Sequence, residues 1–298
     1  MCAQILQPST TMPGSPYTFD SPDADIILRA PLHPEDLEST EFQDFHTHKV
    51  ILSTASAVFN GMFSVPQPRQ TVEGDNDLPV VHVVEPAGAF EVFLRLIYPI
   101  EPPVIDSLQI VDQLSQLSIK YVVDCVRARL KQVLTSPTFL ENDPIWVYAI
   151  ARRMDLEEEA GLAIPYTYRF NLTQDVSRPL LQAMTAETYN RLLRSHATRR
   201  GELITVVKNA KPQRTGNGCN CGPWLYTRLV MTISLAIWER PFLDRQRLDS
   251  CLSEVEPKSE CNCGSSCRVS AEATSVYFTG ILDKIAELVL ASDSGGDI

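Results

Sequence analysis

Basic residues are in the minority in this sequence: 26 lysines and arginines stand against 37 aspartates and glutamates, a formal charge of -11 over 298 residues. Binding to a phosphate backbone depends on a basic face, so nucleic acid is not the expected partner. Long apolar runs are missing too. The longest, Leu229 to Trp238, is broken by Thr232 and Ser234 and bounded by Arg228 and Glu239. A membrane span needs about twenty apolar residues, so this run predicts a buried helix and no membrane partner. The first residues have neither the basic start nor the apolar stretch of a secretory signal, and 1–19 reads as a disordered tail. Eight cysteines without such a signal point to reduced thiols or a metal site in the cytoplasm or nucleus, not to a disulfide framework. Of five histidines, His33, His46, His82 and His196 are scattered singly, with no metal-ligand spacing.

What is present centres on the stretch from Phe45 to Phe63, FHTHKVILSTASAVFNGMF. Val50, Ile51, Leu52, Ala55, Val58, Phe59, Met62 and Phe63 recur at spacings of three and four, which predicts one helix with a broad buried stripe. Thr47 is placed to cap its first turn. Around it, Asp25 to Ala30 predicts a buried strand ending at Pro31, Glu41 to His46 the second arm of a hairpin, and Leu78 to Val84 an interior strand. Amphipathic patterns predict helices over Ala87 to Tyr98, Ser107 to Ser118 and Val122 to Leu134. Strands come early and helices late, the order of an α+β unit.

The succession Asp25-Ile26-Ile27-Leu28, Phe45, His48 to Leu52, Ser53, Ser56, Phe59, Met62-Phe63, the strand around Val81, Phe90 to Tyr98 and Lys120-Tyr121 resembles the BTB (POZ) domain over residues 20–134. The nearest resemblance is to fungal, basidiomycete-like BTB proteins, in which a Leu-Ser-x-x-Ser-x-x-Phe-x-x-Met-Phe run precedes a Pro-rich loop. The resemblance implies a non-catalytic protein-interaction module, often dimeric, with protein partners. The apolar excess of the early segment, more than one small sheet should hide, adds the expectation that residues 20–134 homodimerise through the organising helix and the first strand. Two alternatives stay open. One is a substrate adaptor of a cullin-based ubiquitin ligase, although Thr71 stands two residues before Glu73, where such adaptors carry an apolar residue. The other is a transcription regulator, which would need a DNA-reading module.

The region 135–291 reads as all-helical, before a short tail at 292–298. Its opening, DPIWVYAIARRMDLEEEAGLAIPYTYRF, resembles the paired helices that begin a BACK region, one burying Ile145, Val147 or Tyr148 and Ile150, the other presenting Ala160, Leu162, Ala163 and Tyr166. Further helices are predicted over Arg178 to Met184, Ala186 to His196, Arg200 to Val207, Trp224 to Trp238 and Ala271 to Leu290. Glu157, Glu158 and Glu159 read as a solvated helix start that complements the dipole. Arg191, Arg194, Arg199, Arg200, Lys208, Lys211 and Arg214 read as a solvated basic face.

Candidate chemistry is sparse. His48 is the most tempting catalytic residue, with Asp25 able to approach it, but it reads as a structural residue at a helix start, and no enzyme is expected. Gly216-Asn217-Gly218 lacks the flanking strand and the Lys-Ser or Lys-Thr pair of a phosphate cradle and reads as a loop hinge. Two loops repeat Cys-Asn-Cys-Gly. Cys219, Cys221, Cys261 and Cys263 offer four thiolates for one structural zinc, with Cys251 and Cys267 in reserve; free surface thiols and a redox pair are the alternatives. No other cofactor is expected.

Overall fold

The computed structural model describes residues 18–33, 41–65, 78–209 and 221–255 together with Asp283, leaving aside the side chains of 221–226 and 252. The chain divides into two compact units, Met1–Ala160 and Gly161–Ile298.

In the first unit, β1 (Ile26–Pro31) lies between β2 (Phe42–Thr47), antiparallel to it, and β3 (Val80–His82), parallel to it. Ile26, Ile27, Leu28 and Ala30 are all buried, so β1 is covered on both faces, as its unbroken apolar run requires. Its one charged residue, Arg29, sits directly opposite Asp44 in the register and binds it through two hydrogen bonds of 2.6 and 2.7 Å. This fork-to-carboxylate pair holds the Asp44 carboxyl below its usual range and fixes the register by charge. The predicted interior strand at 78–84 is instead the short edge strand β3, whose residues are half-buried or exposed.

Phe45 to Thr47 complete β2, in line with the hairpin arm expected over Glu41 to His46, and the single helix predicted after Thr47 is two elements, α1 (Lys49–Ala55) and α2 (Ala57–Ser64). Thr47 is wholly buried, and its hydroxyl donates to the Ile26 carbonyl (3.3 Å) instead of capping a helix. The first N–H of α1 is met by the Asp25 carboxylate, 2.7 Å from the Lys49 nitrogen, which suits the positive end of the helix dipole. Ser56 interrupts the helix with extended backbone angles, accepts from the Phe59 N–H (3.1 Å) and donates to the Tyr121 carbonyl.

Helices α3 (Ala87–Ile97), α4 (Leu108–Lys120) and α5 (Asp124–Leu134) follow close to prediction. The core joins sheet and helices through aromatic rings: Phe45 meets Phe90 at 5.8 Å, Phe59 stacks on Tyr121 at 4.7 Å, and Phe93 lies 5.6 Å from Tyr121. The unit continues through α6 (Pro137–Asn142), α7 (Pro144–Arg153) and the start of α8 (Glu157–Thr167). Ile145, Val147, Tyr148 and Ile150 are buried as predicted, as are Ala160 and Ala163, but Leu162 is exposed. The acidic start of α8 is not wholly solvated: Glu159 is buried and meets Lys131 at 2.9 Å.

The second unit holds the rest of α8, then α9 (Arg178–Ala183), α10 (Ala186–Asn209), α11 (Cys221–Glu239) and α12 (Arg245–Val255). Two predicted helices are one continuous α10. Its basic face is only partly solvated, because Arg199 is buried and Arg200 lies over the Trp238 ring at 5.7 Å. Leu229, Ile233 and Ile237 form the buried line of α11 and pack with Leu203, Val207, Leu248 and Val255; Met231, Leu235 and Trp238 face outward, so this helix is not buried all round. Arg247 closes the end of α11 by donating to the carbonyls of Ala236 and Phe242, each at 2.9 Å. No helix among the described residues is long and apolar enough to cross a membrane.

Candidate protein-interaction surface

Helices α1 and α2 are anchored by two residues. Leu52 and Phe59 are fully buried, each burial stabilising the fold by about 1.5–3 kcal/mol. The break at Ser56 turns the stripe between them, so the remaining apolar residues do not all reach the core. Val50 is 71 % exposed, and Val58 and Val65 are exposed as well. Val50, Ile51, Thr54, Ala55 and Ile97 line a shallow cavity of about 250 Å³. Of the exposed valines Val50 is the one that borders this cavity, and an exposed apolar side chain beside a concavity suits a protein-binding face. The central strand β1 contributes nothing to such a face, since both its edges are paired and its apolar side chains are buried.

His48 stands at the start of α1. Its Nε2 lies 3.3 Å from the Asp23 carboxylate and its Nδ1 3.2 Å from the Tyr98 hydroxyl, which also accepts from the His48 N–H at 2.9 Å. Ser21, and then His48, hold the Asp23 carboxyl below the ordinary range. The carboxylate beside His48 is therefore Asp23, while Asp25 is taken up by the Lys49 backbone. With both ring nitrogens engaged, the cluster ties the start of α1 to Tyr98 just after α3. Glu85 does similar work nearby, accepting from Lys120 and from the Tyr121 hydroxyl (3.0 Å). Burial, and next the negative charge of Glu85, push the Tyr121 phenol upward.

Of the proposed zinc ligands, Cys219, Cys261 and Cys263 lie outside the described residues, and Cys221 is described only as the first residue of α11. The reserve ligand Cys251 is buried in the core cluster that includes Leu248, Val255 and Ile233, and burial pushes its thiol upward. Cys267, the Gly216-Asn217-Gly218 hinge, the loop around Thr71 and Glu73, and the helix predicted over 271–290 except Asp283 lie outside the described residues. No group of three or more metal-ligating side chains occurs among the described residues.

A mixed three-stranded sheet joined through aromatic rings to a set of helices, with an exposed apolar residue on α1, makes the first unit α+β. Residues 37–137 match the family model of the BTB/POZ domain, and such domains are generally protein-interaction modules. The central strand β1 precedes the matched range. No curated protein matches the chain.

Proposed function

We propose that the chain is a non-catalytic protein-interaction module that homodimerises through α1 and the concavity beside it, and recruits further protein partners. The observation that carries this reading is Val50, an apolar residue 71 % exposed at the rim of a cavity lined by Ile51, Ala55 and Ile97. A matching copy would bury the same residues on both sides, as a two-fold interface does. The central position of β1 supports moving the contact from the first strand to the helix. Sedimentation of the full chain at micromolar concentration should give twice its mass of 33.3 kDa. A single-chain mass would overturn the reading.

We also propose that Cys219, Cys221, Cys261 and Cys263 share one structural zinc. Supporting this is the start of α11 at Cys221, which would let a metal hold the entry of the helix that carries much of the second unit's core.

A further inference from the structure

Among the described residues, two that are not glycine have positive φ: Val122 at 53° and Asp155 at 56°. They occupy the same position in two similar turns. Val122 links α4 to α5, where the Tyr121 N–H donates to the Leu117 carbonyl and the Val123 N–H to Ser118. Asp155 links α7 to α8, where the Met154 N–H donates to Ile150 and the Leu156 N–H to Ala151. Such helix ends normally place glycine at the left-handed residue. A β-branched valine there is a genuine outlier, and Val122 spends its side chain on solvent, 53 % exposed.

Both turns border one cavity of about 260 Å³ in the first unit. Its apolar side is Val122 together with Ile119, itself 45 % exposed. Four charged residues line it. Arg127 is committed to the Met154 carbonyl, and Arg153 to the Asp112 carboxylate at 2.5 Å and to the Ser115 hydroxyl. The Asp124 and Asp155 carboxylates have no hydrogen-bonding or ion-pair partner among the described residues. Arg153 is neutralised by Asp112, and Asp124 and Asp155 outnumber the remaining cation Arg127, whose carbonyl bond leaves its charge in place, so the cavity keeps a net negative charge next to an apolar pair held outward.

We propose that this cavity binds a peptide segment of a partner protein in which an aliphatic residue is flanked by lysine or arginine. The aliphatic side chain packs on Ile119 and Val122, and the flanking cations meet Asp124 and Asp155. The proposal rests on the reading of the chain as a protein-interaction module, and it adds a face separate from the Val50 surface together with the chemistry of what binds there.

The test is a methyl-resolved NMR titration of the full chain with the blocked pentapeptide Gly-Arg-Ile-Arg-Gly and, separately, with Gly-Glu-Ile-Glu-Gly. The basic peptide should shift the methyl signals of Ile119, Val122 and Val123 saturably in the millimolar range, and the acidic one should not. Asparagine tolerates the left-handed region, so Asp155→Asn keeps the turn; combined with Asp124→Asn it should weaken binding by about fivefold, the scale of two exposed ion pairs. Absence of any shift, an equal response to the acidic peptide, or a response confined to Val50 and Ile51 would overturn the proposal. The Val50 and Ile51 methyls and the sedimentation mass report on the dimer independently.

Discussion

His196 shows how a single side chain can carry more constraint than its neighbours reveal. It is completely buried, with its Nε2 2.9 Å from the Thr167 hydroxyl and its ring edge-on to Tyr168 at 5.2 Å. The Thr167 hydroxyl already donates to the Ile164 carbonyl at 2.6 Å, so toward the ring it can only accept. Nε2 therefore carries the hydrogen, and Nδ1 is a bare acceptor with no partner among the described residues. Burial, and secondarily the charge of Arg200, push the His196 pKa down to about 4. A histidine whose folded pKa lies below its unfolded value of about 6.5 takes up its proton preferentially in the unfolded chain, so folded stability falls as pH drops from about 6.5 through 4. The loss should approach about 3 kcal/mol, read as a falling urea midpoint for the second unit. His196→Leu should flatten that pH dependence; an unchanged slope would show that other groups carry it. In the sequence His196 was one of several scattered histidines, because burial and the Thr167 contact come from residues 29 positions apart.

At the scale of elements, Ser56 decides most. The apolar spacing runs unbroken from Val50 to Phe63 with no proline, so periodicity alone predicts one helix, yet the chain breaks there because Ser56 serves two helices at once. Its backbone N–H ends α1 on the Leu52 carbonyl (2.9 Å), and its hydroxyl starts α2 while reaching Tyr121 across 65 positions. That last bond has no sequence signature. Ser56→Ala should lower the unfolding free energy of the BTB/POZ domain by about 1–2 kcal/mol in urea melts, the cost of a lost cap; no change would mean the break is set by packing alone. Other elements were legible in advance: α3, α4, α5 and α7 follow runs whose period matches their burial, β1 an unbroken apolar run, and β2 its place before the organising helix, although Phe42 is exposed where Phe45 is buried. α12 was missed although its signal exists. Asp244 caps it by accepting from the Arg247 N–H at 2.8 Å, and Leu248, Cys251 and Val255 repeat at helical spacing, but arginines and acids dilute the pattern. The edge position of β3 was hidden because an apolar run does not say which neighbours a strand will have.

For the molecule as a whole, two properties follow from separate surfaces. If the four loop cysteines share a metal, purified chain contains about one zinc, and a chelator lowers the stability of the helical second unit while sparing the BTB/POZ domain. Chain free of stoichiometric zinc, with these thiols reacting freely in the folded state, would leave the loops as linkers. Dimerisation belongs to the other surface, where the apolar stripe leaves an exposed valine beside a concavity. Val50 points away from the core, so Val50→Asp should leave the fold intact while placing a charge on each side of a two-fold contact. The most direct measurement is sedimentation of the full chain and of this variant side by side at micromolar concentration, with circular dichroism to confirm equal helix content. The parent should sediment at twice the 33.3 kDa chain mass and Val50→Asp at the single mass; a parent that sediments as a single chain, or a variant that remains a dimer, would contradict dimerisation through α1.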